Sequence, residues 1–179
     1  MKTLAFLGFF NSEAADFVAN IRKTIGLEKE NIHDIPHITF AITGNLPFER
    51  AETFSHKLLD AHSLLLLEFS SIGYFPESGT FFLGVTSSVE LLRFHNEIVT
   101  FITDGGYSIS PHYLPGRWVP HCSIVSGDTG KFFNDQALKK TTLPYPARIE
   151  KLSVTELDHT LGEMTHRVDL SQNIDPDDN

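Results

Sequence analysis

The pentapeptide Pro36-His37-Ile38-Thr39-Phe40 returns in altered form as Pro120-His121-Cys122-Ser123-Ile124. Each copy places a hydroxyl two residues after a histidine, with an apolar residue next. In an extended strand alternate side chains share a face. His37 and Thr39 then point one way from their strand, and His121 and Ser123 do the same from theirs. Ile38 and Cys122 turn to the opposite side, into the body of the protein. If the two strands face each other, two imidazoles and two hydroxyls meet, a set suited to acid–base chemistry on a phosphoryl group. The doublet Pro-His occurs a third time, at Pro111-His112, but Tyr113 and Leu114 follow it and the pattern fails there. The motif histidines lie 84 positions apart (121 − 37) in a chain of 179 residues, so one motif falls in each half.

The surrounding residues fit two related α+β halves. Lys2–Phe10 reads as a strand. Asn11 or Ser12 can cap the helix that follows, with Phe17, Val18, Ile21 and Ile25 at helical spacing up to Gly26. Ile35–Thr43 is a short β segment carrying the first motif, and Pro47 opens a helix to about Ala61. Leu64–Tyr74 and Thr80–Thr86 read as a hairpin with a longer loop. Ser88 to about Asp104 is helical, with Leu91, Leu92, His95, Ile98, Val99 and Ile102 inward and Gly105-Gly106 as its stop. A Pro- and Gly-rich loop leads into the strand Trp118–Ser126, which holds the second motif. Lys131–Lys140 reads as a short helix, and Ile149–Leu157 with Thr165–Leu170 as a closing strand pair. One domain over residues 1–172 is expected, followed by an acidic, disordered tail at 173–179.

The formal net charge of −9 argues against broad, sequence-independent binding to nucleic acid, which needs many cations on one face. It leaves room for a short nucleotide in a locally basic cleft. The single cysteine, Cys122, forms no internal disulfide and fits a reducing compartment, so a cytoplasmic location is expected. The run Leu4–Phe10 has some likeness to a signal peptide, with Ser12-Glu13-Ala14 as a mock cleavage site, but it also reads well as a buried first strand. No apolar run approaches a membrane span, so no membrane partner is expected.

The paired motifs resemble those of the two-histidine (2H) phosphoesterase superfamily, especially its bacterial 2′-5′ RNA ligase-like branch. The likeness extends to the opening strand and to Gly73-Tyr74-Phe75-Pro76 before the strand Thr80–Val85. It also covers the helix around Leu91–His95 and the approach Pro115-Gly116-Arg117-Trp118-Val119 to the second motif. The resemblance implies an α+β, bilobal fold: two pseudo-symmetric antiparallel β-sheet lobes flanked by helices around a central cleft. It implies chemistry on 2′,3′-cyclic phosphates of nucleotides or RNA ends without metal or other cofactor. Serine for threonine in the second motif is a small departure, since both occur in the family.

Opening a cyclic phosphodiester requires a water to lose a proton and a ribose oxygen to gain one. Two imidazoles, each titrating near about 6.5 when unperturbed, can do both near neutral pH. His37 and His121 are the candidate catalytic pair, and either can be acid or base. Thr39 and Ser123 are the candidate phosphate-binding hydroxyls. The competing readings are strand-end histidines that cap local hydrogen bonds and ordinary strand hydroxyls. Arg117 can contact phosphate or simply be a solvated loop residue. Tyr74, Phe75, Tyr113 and Trp118 can stack on a base, although core packing suits most of them better. His33 and His37 have helical metal-pair spacing, but Pro36 between them breaks a helix, so no metal site is expected. The leading function is a cyclic phosphodiesterase, with 2′-5′ RNA ligation as its reverse. A non-catalytic nucleotide-binding module on the same scaffold and a metal-dependent hydrolase are the alternatives.

Overall fold

In a computed structural model, which describes residues 2–27, 35–62, 65–127, 136–158 and 163–171, these residues form eight strands, three long helices and one of a single turn. Strand β1 (Lys2–Phe10), helix α1 (Ser12–Thr24), β2 (His37–Gly44) and α2 (Phe48–Ala61) make the first half. The hairpin β3 (Leu66–Phe75) and β4 (Thr80–Val85) begins the second. Next come α3 (Val89–Asp104), the short β5 (Ser108–Ile109), a 3-10 turn at Pro111–Tyr113 and β6 (His121–Val125). The chain closes with α4 (Gln136–Lys139), β7 (Tyr145–Asp158) and β8 (Glu163–Ser171).

The strands are hydrogen-bonded in the order β5-β2-β1-β7-β3-β4-β6, with β8 also on β7, and every pairing is antiparallel. Read inward from the two motif strands, β2 matches β6, β1 matches β4, and β7 matches β3. The bilobal α+β architecture expected from the sequence is present, with one feature added. The lobes share β7: Tyr145–Arg148 pair with β3, while Ile149–Asp158 pair with β1 and, from Lys151, with β8. The two sheets are therefore continuous through one 14-residue strand.

One face of the sheet is closed by the helices over a core that includes Phe6, Phe40, Phe69, Leu83, Phe94, Ile98 and Leu152. Each such side chain contributes about 1.5–3 kcal/mol by leaving water. Helix α3 shows how periodicity selects this face. Leu91, Phe94, His95, Ile98, Val99 and Ile102 are buried, whereas Leu92, expected inward, is 45% exposed. It sits off the i, i+3, i+4, i+7 stripe, and Phe94 takes the inward place. Ser88 caps α3 by accepting a hydrogen bond from the Leu91 N–H at 3.1 Å.

The cap expected on α1 is different. Asn11 is at the N-cap position but its side chain makes no capping bond. Its amide oxygen accepts from the Arg148 N–H at 3.0 Å and its amide nitrogen donates to Glu13, so the residue ties the helix start to β7. Of the helix expected over Lys131–Lys140, α4 is the described part; its other residues, and the tail at 173–179, lie outside the described residues. No helix among the described residues is long and apolar enough to cross a membrane.

Candidate active site

The motif strands alternate as β geometry demands. Ile38, Phe40, Cys122 and Ile124 are buried on the core side, while His37, Thr39, His121 and Ser123 are half-buried on the other. Each imidazole is tied to its own chain in the same way. His37 Nδ1 is 2.7 Å from the Ile35 carbonyl, and His121 Nδ1 is 2.7 Å from the Val119 carbonyl, two residues upstream in both cases. A carbonyl only accepts, so each Nδ1 carries the hydrogen. Nε2 is left bare in the neutral ring and is the atom that exchanges a proton with anything in the cleft.

The fold brings the two motifs together. Strands β2 and β6 pack against each other. The backbone N–H of His37 approaches the Cys122 sulfur, and a charge on His37 reaches His121. Each motif is also clamped by a side chain from the opposite half of the chain. Trp118 donates its indole N–H to the Thr39 carbonyl at 3.0 Å. Arg22, from α1, donates to the Ser123 carbonyl at 2.8 Å and to the Ile124 carbonyl at 3.0 Å. Arg22 serves carbonyls of β6, the last strand in the order, and Trp118 serves a carbonyl of β2 away from Thr43 and Gly44, where β5 pairs. The Tyr113 hydroxyl, near the other end of the Trp118 loop, is hydrogen-bonded to the Thr39 side chain.

Aromatic rings wall the imidazoles. Phe9 on β1 meets His37 edge-on at 6.1 Å. Phe75 and Phe82 meet His121 at 4.9 and 5.2 Å and stack on each other at 4.2 Å. Gly73 makes this wall possible, because a Cβ there would lie 2.2 Å from Phe82 Cζ. Burial by this wall lowers the pKa of His121 below its ordinary value. The Val119 carbonyl opposes that shift, and the charge of His37 adds to it.

Behind the first motif, His95 is 2% exposed, bonds the Tyr113 carbonyl through Nε2 at 2.9 Å and stacks flat on Trp118 at 3.9 Å. Burial pulls its pKa down to about 4, against the Tyr113 carbonyl, which raises it. In the unfolded chain the same ring titrates near 6.5, so between those values the unfolded state binds the proton and the folded state does not. Stability contributed by neutral His95 is complete above pH about 6.5 and is lost as pH falls towards about 4, by up to roughly 3 kcal/mol. Urea unfolding of wild type and His95→Gln at pH 7.5 and 5 measures this. The stability difference between them should shrink by at least about 1 kcal/mol at the lower pH; an unchanged difference would show that His95 is not held neutral.

The remaining candidates are placed as follows. Cys122 is fully buried and burial pushes its thiol up to about 12, so it is a small core residue. Tyr74, Tyr113 and Trp118 pack against the core, whereas Phe75 faces His121. Arg117 is exposed. His33 lies outside the described residues, and His37 opens a strand. Two features of the site were not anticipated from sequence. Arg22 is 4% exposed on the apolar stripe of α1, four residues after Val18 and eight after Ala14, and that spacing was its signal. The other is Arg167, lying on Phe9, which depends on a strand register that no local pattern encodes.

A family model for the 2′-5′ RNA ligase superfamily matches residues 10–160. Comparison with curated proteins finds no match. Among solved structures, apo LigT of E. coli is similar with a TM-score of 0.63 at 15% identity, over 95% of this chain and 95% of that one. LigT complexed with 3′-AMP gives 0.59 at 16% identity, over 96% and 99%. A Thermus thermophilus protein gives 0.61 at 14% identity, over 96% and 100%. At these identities the likeness is one of fold, and it spans nearly the whole length.

Proposed function

Given that the chain belongs to the 2′-5′ RNA ligase superfamily of two-histidine phosphoesterases, we propose that it opens 2′,3′-cyclic phosphodiesters of nucleotides or RNA ends, with 2′-5′ ligation as the reverse reaction. The observation that carries this reading is the matched pair of imidazoles, each with Nδ1 bonded to a carbonyl, which leaves Nε2 to exchange the proton. LigT has been crystallised with 3′-AMP and with phosphate. A nucleotide bearing a ribose phosphate is the product class of such a ring opening, which supports the reading. The lone buried cysteine supports a cytoplasmic location.

In the proposed reaction His121, whose pKa burial lowers, starts neutral. His121 Nε2 takes a proton from water as the water oxygen bonds to phosphorus. The bond from phosphorus to one ribose oxygen breaks, and His37, entering as imidazolium, gives its Nε2 proton to that oxygen. Its charge also offsets the negative charge gathering on the equatorial oxygens. The Thr39 and Ser123 hydroxyls donate to those oxygens and keep water, phosphorus and leaving oxygen in line. His121 ends protonated and His37 neutral, so one proton exchange with solvent restores both.

The direct test is turnover of adenosine 2′,3′-cyclic phosphate by the wild-type chain in EDTA, read as adenosine monophosphate formed. Turnover is expected; its absence with every nucleoside cyclic phosphate would sink the reading. The acid limb of kcat/KM reports the base in the free enzyme. With His121 in that role the limb should lie below pH about 6.5. Phe75→Ala, which lets water reach the ring, should move it upward. An acid limb above pH about 7 in the wild type would reverse the assignment of acid and base.

A further inference from the structure

On the catalytic face of the sheet, one ring away from His37, the Arg167 guanidinium lies 4.5 Å above the Phe9 ring. The register explains how a residue of the outlying β8 gets there. Leu7 on β1 is opposite both Thr39 and Ser153, and Ser153 is opposite Asp169. Thr155 is opposite Arg167. Opposed residues of an antiparallel sheet share a face, so Arg167 and Asp169 stand on the same side as His37 and Thr39. Between β8 and β1 that face carries Lys151, opposite Phe9 and exposed, and then Ser153 and Thr155, both short, buried, and 3.2 Å apart at their hydroxyls. The short Ser153 and Thr155 leave room for the Arg167 side chain to cross β7 and reach Phe9.

Asp169 fixes the plane of the group. Arg167 Nε and one terminal nitrogen donate to the two Asp169 oxygens at 2.7 and 2.8 Å. Burial alone would raise the Asp169 pKa. Hydrogen bonds from Arg167 and Ser153 and the charges of Arg167 and Lys151 outweigh it and leave the carboxyl below its usual range. One forked edge, Nε with one terminal nitrogen, is therefore occupied by a carboxylate, which would itself repel an anion. One face of the guanidinium is covered by Phe9. The Arg167 side chain is 27% exposed, and a charged plane held flat in this way can bind a nucleobase by stacking.

We propose that Arg167, laid on Phe9 and held flat by Asp169, is the platform on which the nucleobase of the substrate nucleotide stacks. This deepens the phosphoesterase reading and rests on it. It makes the substrate a base-bearing ribose phosphate, and it makes recognition of the base indifferent to its hydrogen-bonding edge, because every base has a stacking face.

The experiment compares adenosine 2′,3′-cyclic phosphate with methyl β-D-ribofuranoside 2,3-cyclic phosphate, which lacks the base. The wild type, Arg167→Lys and Asp169→Asn are assayed on both. Arg167→Lys keeps the charge and removes the plane, so the preference for the adenosine substrate should fall about tenfold, through KM. Asp169→Asn loosens the plane and should lower the same preference. A preference unchanged by Arg167→Lys, or adenosine binding tightened by Asp169→Asn as at an anion site, would overturn the proposal. Equal loss on both substrates would also overturn it, as a structural effect. Equilibrium titration with adenosine 2′-monophosphate and its base-free counterpart separates this from the catalytic reading. If the wild type turns over neither substrate, that reading fails. The platform then stands or falls on whether Arg167→Lys erases a binding preference for the base.

Discussion

Replacing either His37 or His121 with alanine is expected to lower kcat on adenosine 2′,3′-cyclic phosphate by about a thousandfold, within the range typical for a positioned acid or base. The two losses should not add. With the base gone, water attacks unaided and the acid has less to complete; with the acid gone, the leaving oxygen departs as an alkoxide. The double variant should therefore be close to either single one. KM should change little, since both rings act on the transition state more than on the bound substrate. Both side chains are on the open face and are held by one local hydrogen bond each, so the fold should survive. Steady-state rates and far-UV circular dichroism of the three variants would decide it. A single variant that keeps more than about a tenth of wild-type kcat with its fold intact would remove that histidine from the mechanism.

Arg22→Ala should be the most damaging single change outside the histidines. The guanidinium is buried and donates to two carbonyls of β6, from a helix in the other half. Hydrogen bonds from a charged donor contribute about 1.5–3 kcal/mol each, and truncation leaves both a void and carbonyls to be rehydrated. A loss of roughly 3–5 kcal/mol is expected from urea unfolding. Turnover should fall as well, by about tenfold, because the Ser123 backbone loses the tie that sets its hydroxyl. Arg22→Lys should recover less than half of the stability, since an ammonium cannot fork across two carbonyls. A change below about 1 kcal/mol for Arg22→Ala would mean that the contact is incidental.

These two predictions mark how far the sequence could be read. The placement of His37, Thr39, His121 and Ser123 on one side of their strands was legible because a period of two, a preceding proline and an apolar alternate are local properties of five residues. The helices were legible for the same reason at period 3.6, with Leu92 and Phe94 exchanged because a stripe is narrower than a list of apolar residues. Arg22 was hidden because its partners lie about a hundred residues away and its charge argues for the surface, although its spacing argued for the core. The Phe9–Arg167 stack was hidden because it depends on how β8 registers against β7, and register is set by the whole sheet. Asn11 was read as a cap because caps are local, whereas its actual partner is Arg148 on β7.

The carbonyls that hold the two imidazoles belong to Ile35 and Val119, each two residues before its histidine along the same stretch of chain. The aim of each ring is thus written within a few consecutive residues. Little else is alike between the halves, yet both deliver the ring in the same attitude. A device of this kind is portable. It survives duplication, divergence of everything around it and slow drift of the supporting helices, provided the stretch from that carbonyl to the hydroxyl stays extended. Grafted onto the edge of another antiparallel sheet, the same few residues should carry their orientation with them, and only the distance between two such grafts would have to be engineered.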